Sequence, residues 1–278
     1  MSKVWFITGA GSGIGAATAK AALKAGDRVI ATGRNLDKVR KALGDIAGES
    51  VCFVALDVTS EAQAKAAVEA AVKAFGRIDV LVNNAGYSLL GNFEEVTTEE
   101  TQSLMATNFY GVMFVMRAIL PVMRKQRSGR IINISSLAGV IGYKHCGPYS
   151  ATKFAVEGLS QAVALEVEPF GIRITTVAPG FFRTDLLDAG NAKYATSAIA
   201  DYAAEGTAEA MWSGYDGKQQ GDPAKLGDVL VTIAGMDHPL KQFLAGSDAL
   251  AAFTPVIEAR LEDLRSYEEL SRSTDGSF

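Results

Sequence analysis

The chain has 278 residues, a formal net charge of -4 and a pI near 5.4: long enough to bury a full core, and without a basic run able to track a phosphate backbone, which excludes nucleic acid as an expected partner. Its two cysteines, Cys52 and Cys146, lack metal-ligand spacing and are too few for a disulfide framework, so no metal and a reducing, cytoplasmic setting are expected. Lys3 leads straight into an apolar strand with no room for a signal peptide, and the longest apolar helix, near Gly111 to Met123, is interrupted by Arg117 and Pro121, so no membrane association is expected.

Val4 to Ile7 is a short apolar strand. It is followed by Thr8 to Gly15 (TGAGSGIG) and an alanine-rich helix from Ala16 to Ala25 that Gly26 ends. Strand, glycine turn and helix make a pyrophosphate cradle: Gly9, Gly13 and Gly15 let backbone approach the ligand, and the helix start directs unpaired N–H groups at it. The spacing is GxxxGxG. Arg28 to Thr32 is the second strand, ending at Gly33 and Arg34, where dinucleotide folds meet the adenosine ribose. With a guanidinium there and no carboxylate, a 2′-phosphate is favoured, hence NADP(H), with NAD(H) possible; Ser12 adds a hydroxyl to the same phosphate.

Val51 to Leu56 is a third strand, and Asp57 and Val58 follow it. Asp57 either accepts from an adenine amino group or serves as the cap or turn acid of the helix Glu61 to Phe75. Ile78 to Val82 is the fourth strand, closed by Asn83, Asn84, Ala85 and Gly86, where amide side chains tie neighbouring strands and small residues leave room for a ring or ribose. A helix from Glu99 to Arg124 carries Asn108 in its middle, a residue type that signals a kink, a held water or an exposed face there.

Arg130 to Ser135 delivers Ser135 and Ser136 to the carboxyl edge of the sheet. Tyr149 and Lys153 then share one face of a helix running from Ser150 to about Glu168. Of the tyrosines, only Tyr149 has a lysine four residues on. An ammonium beside a phenol favours the phenolate and brings proton exchange closer to neutral pH.

Ile172 to Val177 is a further strand, ending at Pro179 and Gly180. From Asp185 to about Gly221 the pattern weakens into small and polar residues with dispersed aromatics, either a lid or a pair of surface helices. Asp222 and Pro223 start another helix, Lys241 to Ala245 makes a last strand, and a charged helix from about Thr254 to Leu270 closes the chain with Glu258, Arg260, Glu262, Asp263 and Arg265 as its solvated face. The alternation predicts one α/β domain, a Rossmann-type doubly wound parallel sheet with helices on both faces.

Taken together, TGAGSGIG at Thr8 to Gly15, NNAG at Asn83 to Gly86, Ser136 thirteen residues before Tyr149, YSATK at Tyr149 to Lys153, and PG at Pro179 and Gly180 resemble the short-chain dehydrogenase/reductase family, closely from Lys3 to about Asp185 and in outline beyond. The resemblance implies an oxidoreductase that interconverts carbonyls and alcohols, with Tyr149 as acid/base, Ser136 positioning the substrate oxygen, Lys153 on the nicotinamide ribose, and Asn108 holding a water that relays protons from the lysine. By the same resemblance Gly9, Ser12, Gly13, Ile14, Gly15, Arg34, Asp57, Val58, Asn84, Ala85, Gly86, Pro179, Gly180 and Thr184 bind cofactor. Residues 1–185 then form the cofactor and catalytic core and 186–278 the substrate segment and terminal helices. The later half resembles members acting on bulky apolar alcohols and ketones, and the helices around Asn108 and after Tyr149 imply a homodimer or homotetramer. His145, Cys146, Tyr143 and Tyr87 to Leu90 fall near the pocket, His145 being most simply a loop histidine. The alternatives are an NAD-dependent alcohol dehydrogenase and a non-catalytic cofactor sensor or scaffold. Sensors of this fold lose the Tyr or the Lys, and both stand here.

Overall fold

The computed structural model describes residues 2–46, 48–186, 192–204, 206–215 and 217–276. In chain order the elements are β1 (Val4–Ile7), α1 (Gly13–Lys24), β2 (Arg28–Gly33), α2 (Leu36–Leu43), β3 (Val51–Ala55), α3 (Glu61–Phe75), β4 (Val80–Asn83), the two-residue β5 (Leu89–Leu90), α4 (Thr98–Met105), a π-helical turn (Ala106–Tyr110) and α5 (Gly111–Gln126). Then follow β6 (Gly129–Ile134), α6 (Gly147–Val167), β7 (Ile172–Pro179), β8 (Lys193–Tyr194), the short α7 (Ala200–Ala203) and α8 (Ala208–Ser213), α9 (Pro223–Gly235), β9 (Gln242–Ala245), α10 (Ser247–Ser266) and α11 (Glu268–Arg272).

Seven strands form one parallel sheet in the order β3-β2-β1-β4-β6-β7-β9. Side chains alternate faces along each strand, and both faces are dry, so the strands are apolar throughout rather than alternating. In β1, Val4 and Phe6 pack with α3, α5 and α6 through Val68, Val115, Ile119 and Val156, whereas Trp5 and Ile7 pack with α1, α2 and α9 through Ala19, Val39, Leu226 and Leu230. Each large side chain so buried contributes roughly 1.5–3 kcal/mol. This is the doubly wound architecture the alternation predicts.

Local differences from the predicted elements have physical causes. Helix α2 has no counterpart in the sequence reading; Asn35 caps it by accepting from Lys38 N, and Val39 and Leu43, one turn apart, bury its inner face. Pro121 does not interrupt α5, which runs on to Gln126. Pro121 and Arg117, whose carbonyl the proline leaves without its helical donor, are both exposed, which keeps the lost bond on the solvent side of the helix. The stretch Thr98–Gln126 is long and apolar enough by length and composition to cross a membrane; its Val112, Val115, Met116, Ile119 and Met123 are buried against the sheet. The terminal helix begins at Ser247, earlier than expected. Asp222 caps α9 with Pro223 at its first turn, as expected.

Close packing of α1 on α9 depends on Gly227, where an added Cβ would stand 2.7 Å from the Ala17 carbonyl oxygen. Gly227→Ala should therefore lower stability by about 1–3 kcal/mol. In a thermal melt that is a drop in Tm of roughly 2–4 °C per kcal/mol; an unchanged Tm would show that α9 can back away from α1 at no cost.

Candidate active site

Strand order reverses between β1 and β4, so the connections leaving these strands run to opposite faces and open a crevice at their carboxyl ends. A cavity of about 510 Å³ fills it. Its wall takes Gly9, Ser12, Gly13 and Ile14 from the β1–α1 turn, Arg34 beyond β2, Asp57 and Val58 beyond β3, and Asn84, Ala85 and Gly86 beyond β4. Ser136 joins it beyond β6, Tyr149 and Lys153 from α6, and Pro179, Gly180 and Thr184 from the end of β7 onward. Gly15 and Asn108 stand behind this wall rather than on it.

The β1–α1 turn suits a pyrophosphate. Gly9 and Gly13 have φ of 67° and 52°, open to glycine without strain. A Cβ on Gly15 would collide with the Gly9 carbonyl and come within 2.5 Å of Asn84 Nδ2. Gly15 thus lets the turn close onto the β4 loop. Asn84 fastens it by donating to the carbonyls of Thr8 and Gly9 at 3.0 and 3.1 Å, while Thr8 Oγ1 accepts from the Asn84 and Ala85 amides. Ser12 starts α1 without a side-chain cap bond, and the helix N-terminus offers its amides to the cavity. Arg34 is exposed at the cavity edge. Lys38 and Asp185 approach to 3.9 Å between exposed side chains.

Asp57 takes the turn-acid reading. Its Oδ1 accepts from the amide and hydroxyl of Thr59, making it a turn acid, while it also lines the cavity. The cap of α3 itself is Ser60, which accepts from Gln63 N. Asn83 donates to Asn133 Oδ1 at 2.8 Å, the expected tie between β4 and β6.

Ser136, Tyr149 and Lys153 meet at the carboxyl edge of β6. Ser136 caps a 3₁₀ turn (Leu137–Gly139), accepting from Ala138 N, and its side chain is hydrogen-bonded to the Tyr149 hydroxyl. Lys153 Nζ donates to the Ile134 carbonyl at 2.9 Å and lies 5.8 Å from the Tyr149 ring centroid. Burial pushes the phenol up from 10.0 to about 12, against the lowering effect of the Ser136 hydrogen bond. Burial also pulls the lysine down from 10.5 to about 8, partly opposed by the Glu157 carboxylate. The expectation of a more acidic Tyr149 is therefore reversed here: desolvation disfavours the phenolate more than the Ser136 hydrogen bond favours it.

Asn108 is buried in the π-helical turn, so the exposed-face reading fails. Its Oδ1 accepts from Tyr87 N, and its Nδ2 donates to Tyr87 O and Thr152 Oγ1. It thus clamps the loop after β4 to α6 directly behind Lys153. A Cβ on Gly86 would lie 3.1 Å from Asn108 Oδ1 and 3.9 Å from Lys153 Nζ.

Beyond Tyr149 the wall becomes aromatic and apolar. Tyr143, Phe181 and Trp212 line it with Leu90, Cys146 and Leu186; Tyr143 meets Trp212 edge-on at 6.3 Å, and Phe181 stacks on Tyr215 at 5.2 Å. Burial pushes the Cys146 thiol up to about 12. His145 stands behind the wall with φ of 64° and holds the β5 loop by accepting from Gly91 N, a loop histidine as expected. The patternless segment supplies Trp212 from α8 and is tied down by Glu95 Oε1, which accepts from Ala198 N and Ile199 N. Its residues 187–191, 205 and 216 lie outside the described residues.

Three supporting residues escaped the sequence reading. Thr8 holds the Asn84 and Ala85 amides, and its place just before Gly9 was the available signal. Gly139 has no room for a side chain, since a Cβ would stand 2.5 Å from Ser135 Oγ and 2.9 Å from Lys153 Cβ. Asp248, at the start of α10, accepts from Phe181 N at 2.7 Å and fixes the turn after Gly180 from 67 residues away, with no local signal.

Residues 3–195 match the family model described as short chain dehydrogenase. The chain is 40% identical over 241 residues to a 3-ketodihydrosphingosine reductase of Bacteroides thetaiotaomicron, covering 85% of each. A crystal structure of a short-chain dehydrogenase from Streptomyces avermitilis superposes with a TM-score of 0.89 at 36% identity, covering 99% of this chain and 100% of that one. ElxO with NADP bound superposes with a TM-score of 0.75 at 31% identity, over 90% of this chain and all of that one.

The buried pair gives stability a defined pH dependence. Between about pH 8 and 10.5 the unfolded chain keeps on Lys153 a proton that the native state has released, so native stability rises with pH across that window. Tyr149 acts oppositely from pH 10.0 to about 12, where the native state alone retains the proton and stability falls. In urea unfolding, the wild-type stability minus that of Lys153→Met should climb as pH goes from 8 to 10. A flat difference would show that Lys153 is not desolvated.

Proposed function

The chain belongs to the short-chain dehydrogenase family, and from that premise we propose that it is an NADP(H)-preferring oxidoreductase that interconverts a ketone or aldehyde with an alcohol, using Tyr149 as the proton carrier. The observation that carries this reading is the Tyr149 hydroxyl hydrogen-bonded to Ser136 at the carboxyl edge of the sheet, with Lys153 beside it on the wall of the same cavity. When bound, the nicotinamide dinucleotide supplies or accepts the hydride.

The chain's own residues fit that group. Gly9, Ser12, Gly13 and Ile14, with Gly15 beneath them, take the pyrophosphate; Arg34 with Ser12 takes a 2′-phosphate; Asp57 and Val58 flank the adenine. Asn84, Ala85 and Gly86 border a ribose, Tyr149 and Lys153 the nicotinamide ribose, and Pro179, Gly180 and Thr184 the nicotinamide. Ser136 donates to the substrate oxygen and stabilises negative charge developing there. Tyr149, pushed up to about 12, holds its proton at neutral pH, the form that a carbonyl reduction starts from, and the NADP(H) preference makes reduction the favoured direction. Lys153, near 8, can return a proton to the phenol, and Asn108 braces it from behind.

The apolar, aromatic wall of Tyr143, Phe181 and Trp212 suits a bulky apolar carbonyl compound, in keeping with the name of the Bacteroides relative. Residues 1–185 act as the cofactor and catalytic core, and 186–278 add the substrate wall through Trp212 and Gln219. Exposed Tyr110, Phe154 and Leu165 on the helices around Asn108 and after Tyr149 support pairing of these helices in a homodimer or homotetramer, which light scattering at micromolar concentration should detect. The two free cysteines accord with the reducing cytoplasm.

NADPH consumption with a panel of apolar ketones tests the reaction. Tyr149→Phe should reduce kcat/KM by about 10²–10⁴-fold while leaving NADPH affinity in place. Binding of NADPH without turnover of any carbonyl would sink the proposal. For the cofactor, Arg34→Ala should weaken NADPH binding roughly 10–100-fold and leave NADH binding unchanged, measured by fluorescence titration.

A further inference from the structure

Glu157 follows Lys153 by four residues on α6, on the same helix face and 4% exposed. A carboxylate so deep in the fold is costly unless it is paired and hydrogen-bonded. Its Oε2 accepts from Thr176 Oγ1 of β7 at 2.7 Å and from Gln242 Nε2 of β9 at 2.9 Å, while Oε1 has no hydrogen-bond partner among the described residues. Lys153 is as deeply placed, and the Ile134 carbonyl that its Nζ meets carries no charge.

We propose that Glu157 is a positioning residue for Lys153: clamped between two strands, it supplies the counter-charge that keeps the buried lysine an ammonium. The proposal rests on the role assigned above to Lys153. The titratable groups around the lysine are Tyr149 and Glu157 on α6, with Cys146 at the helix start; β6 presents the Ile134 carbonyl and Ser135, the loop after β4 presents Gly86, and the π turn presents Asn108, all uncharged. Around Glu157, β7 presents Thr176 and β9 presents Gln242, preceded by the exposed Lys241. Glu157 is the carboxylate that acts on Lys153, and it acts against burial. Two strand-borne donors hold one of its oxygens, and the other has no hydrogen-bond partner among the described residues.

A carboxylate that only ties α6 to the sheet would stabilise the fold without moving the lysine's titration, which separates the two roles. In protein labelled with 13Cε lysine and free of ligand, the Lys153 signal, identified by its loss in Lys153→Met, should titrate near 8. Glu157→Gln should lower that midpoint by about one unit. Gln242 is exposed, so Gln242→Lys and Gln242→Glu should fold and move the midpoint down and up respectively, by less; they carry the test if Glu157→Gln does not fold. The alkaline limb of kcat/KM for NADPH-dependent carbonyl reduction should shift in the same order. A midpoint unmoved in Glu157→Gln, or two Gln242 variants moving the same way, overturns the inference even if stability falls. Midpoints that move as stated in a protein that turns over no carbonyl uphold the coupling and refute the proposed function instead.

Discussion

Desolvation at the carboxyl edge of β6 is the constraint on which the site's electrostatics depend. Tyr149 and Lys153 are buried there within reach of a cavity, and the same loss of water pushes the phenol up and the ammonium down. Two groups whose ordinary titrations nearly coincide are driven apart, so near neutral pH the phenol holds its proton firmly and the lysine sits close to its own midpoint. The neighbours modulate this: Ser136 by its hydrogen bond to the phenol, Glu157 by its charge on the lysine.

Such burial requires backbone to approach backbone closely, and small residues make that possible at each seam. Gly139 lets α6 press its Lys153 turn onto the end of β6, and Gly15 lets the first turn close on the β4 loop. Behind these contacts run polar ties between adjacent strands and loops: Asn83 to Asn133, Asn84 to Thr8 and Gly9, Asn108 to Tyr87 and Thr152. Each buries polar atoms only with partners in place, which makes the arrangement specific as well as stable.

The later third of the chain completes the cavity from a distance. Asp248 fixes the turn after Pro179 from the start of α10, and Trp212 reaches the wall from a helix of six residues. Neither the terminal helix nor the patternless segment is a mere appendage, since the first holds the turn that carries Phe181 and the second puts Trp212 on the wall.

The sequence by itself determined the sheet, most of its helices though not α2, and the positions of the glycine turn and of Ser136, Tyr149 and Lys153, because apolar runs, glycine punctuation and helical spacing are local signals that survive without knowledge of the fold. It also singled out Asn108 as an oddity within a helix, though not on which side it would fall. Tertiary structure alone decided that Asn108 is buried in a π turn, that Pro121 is harmless where its helix faces water, and that Asp57 makes a turn while still lining the cavity. It also decided the direction in which Tyr149 titrates. Spacing placed an ammonium beside a phenol and suggested a stronger acid; packing removed the water from both, and desolvation, which no spacing encodes, raised the phenol instead.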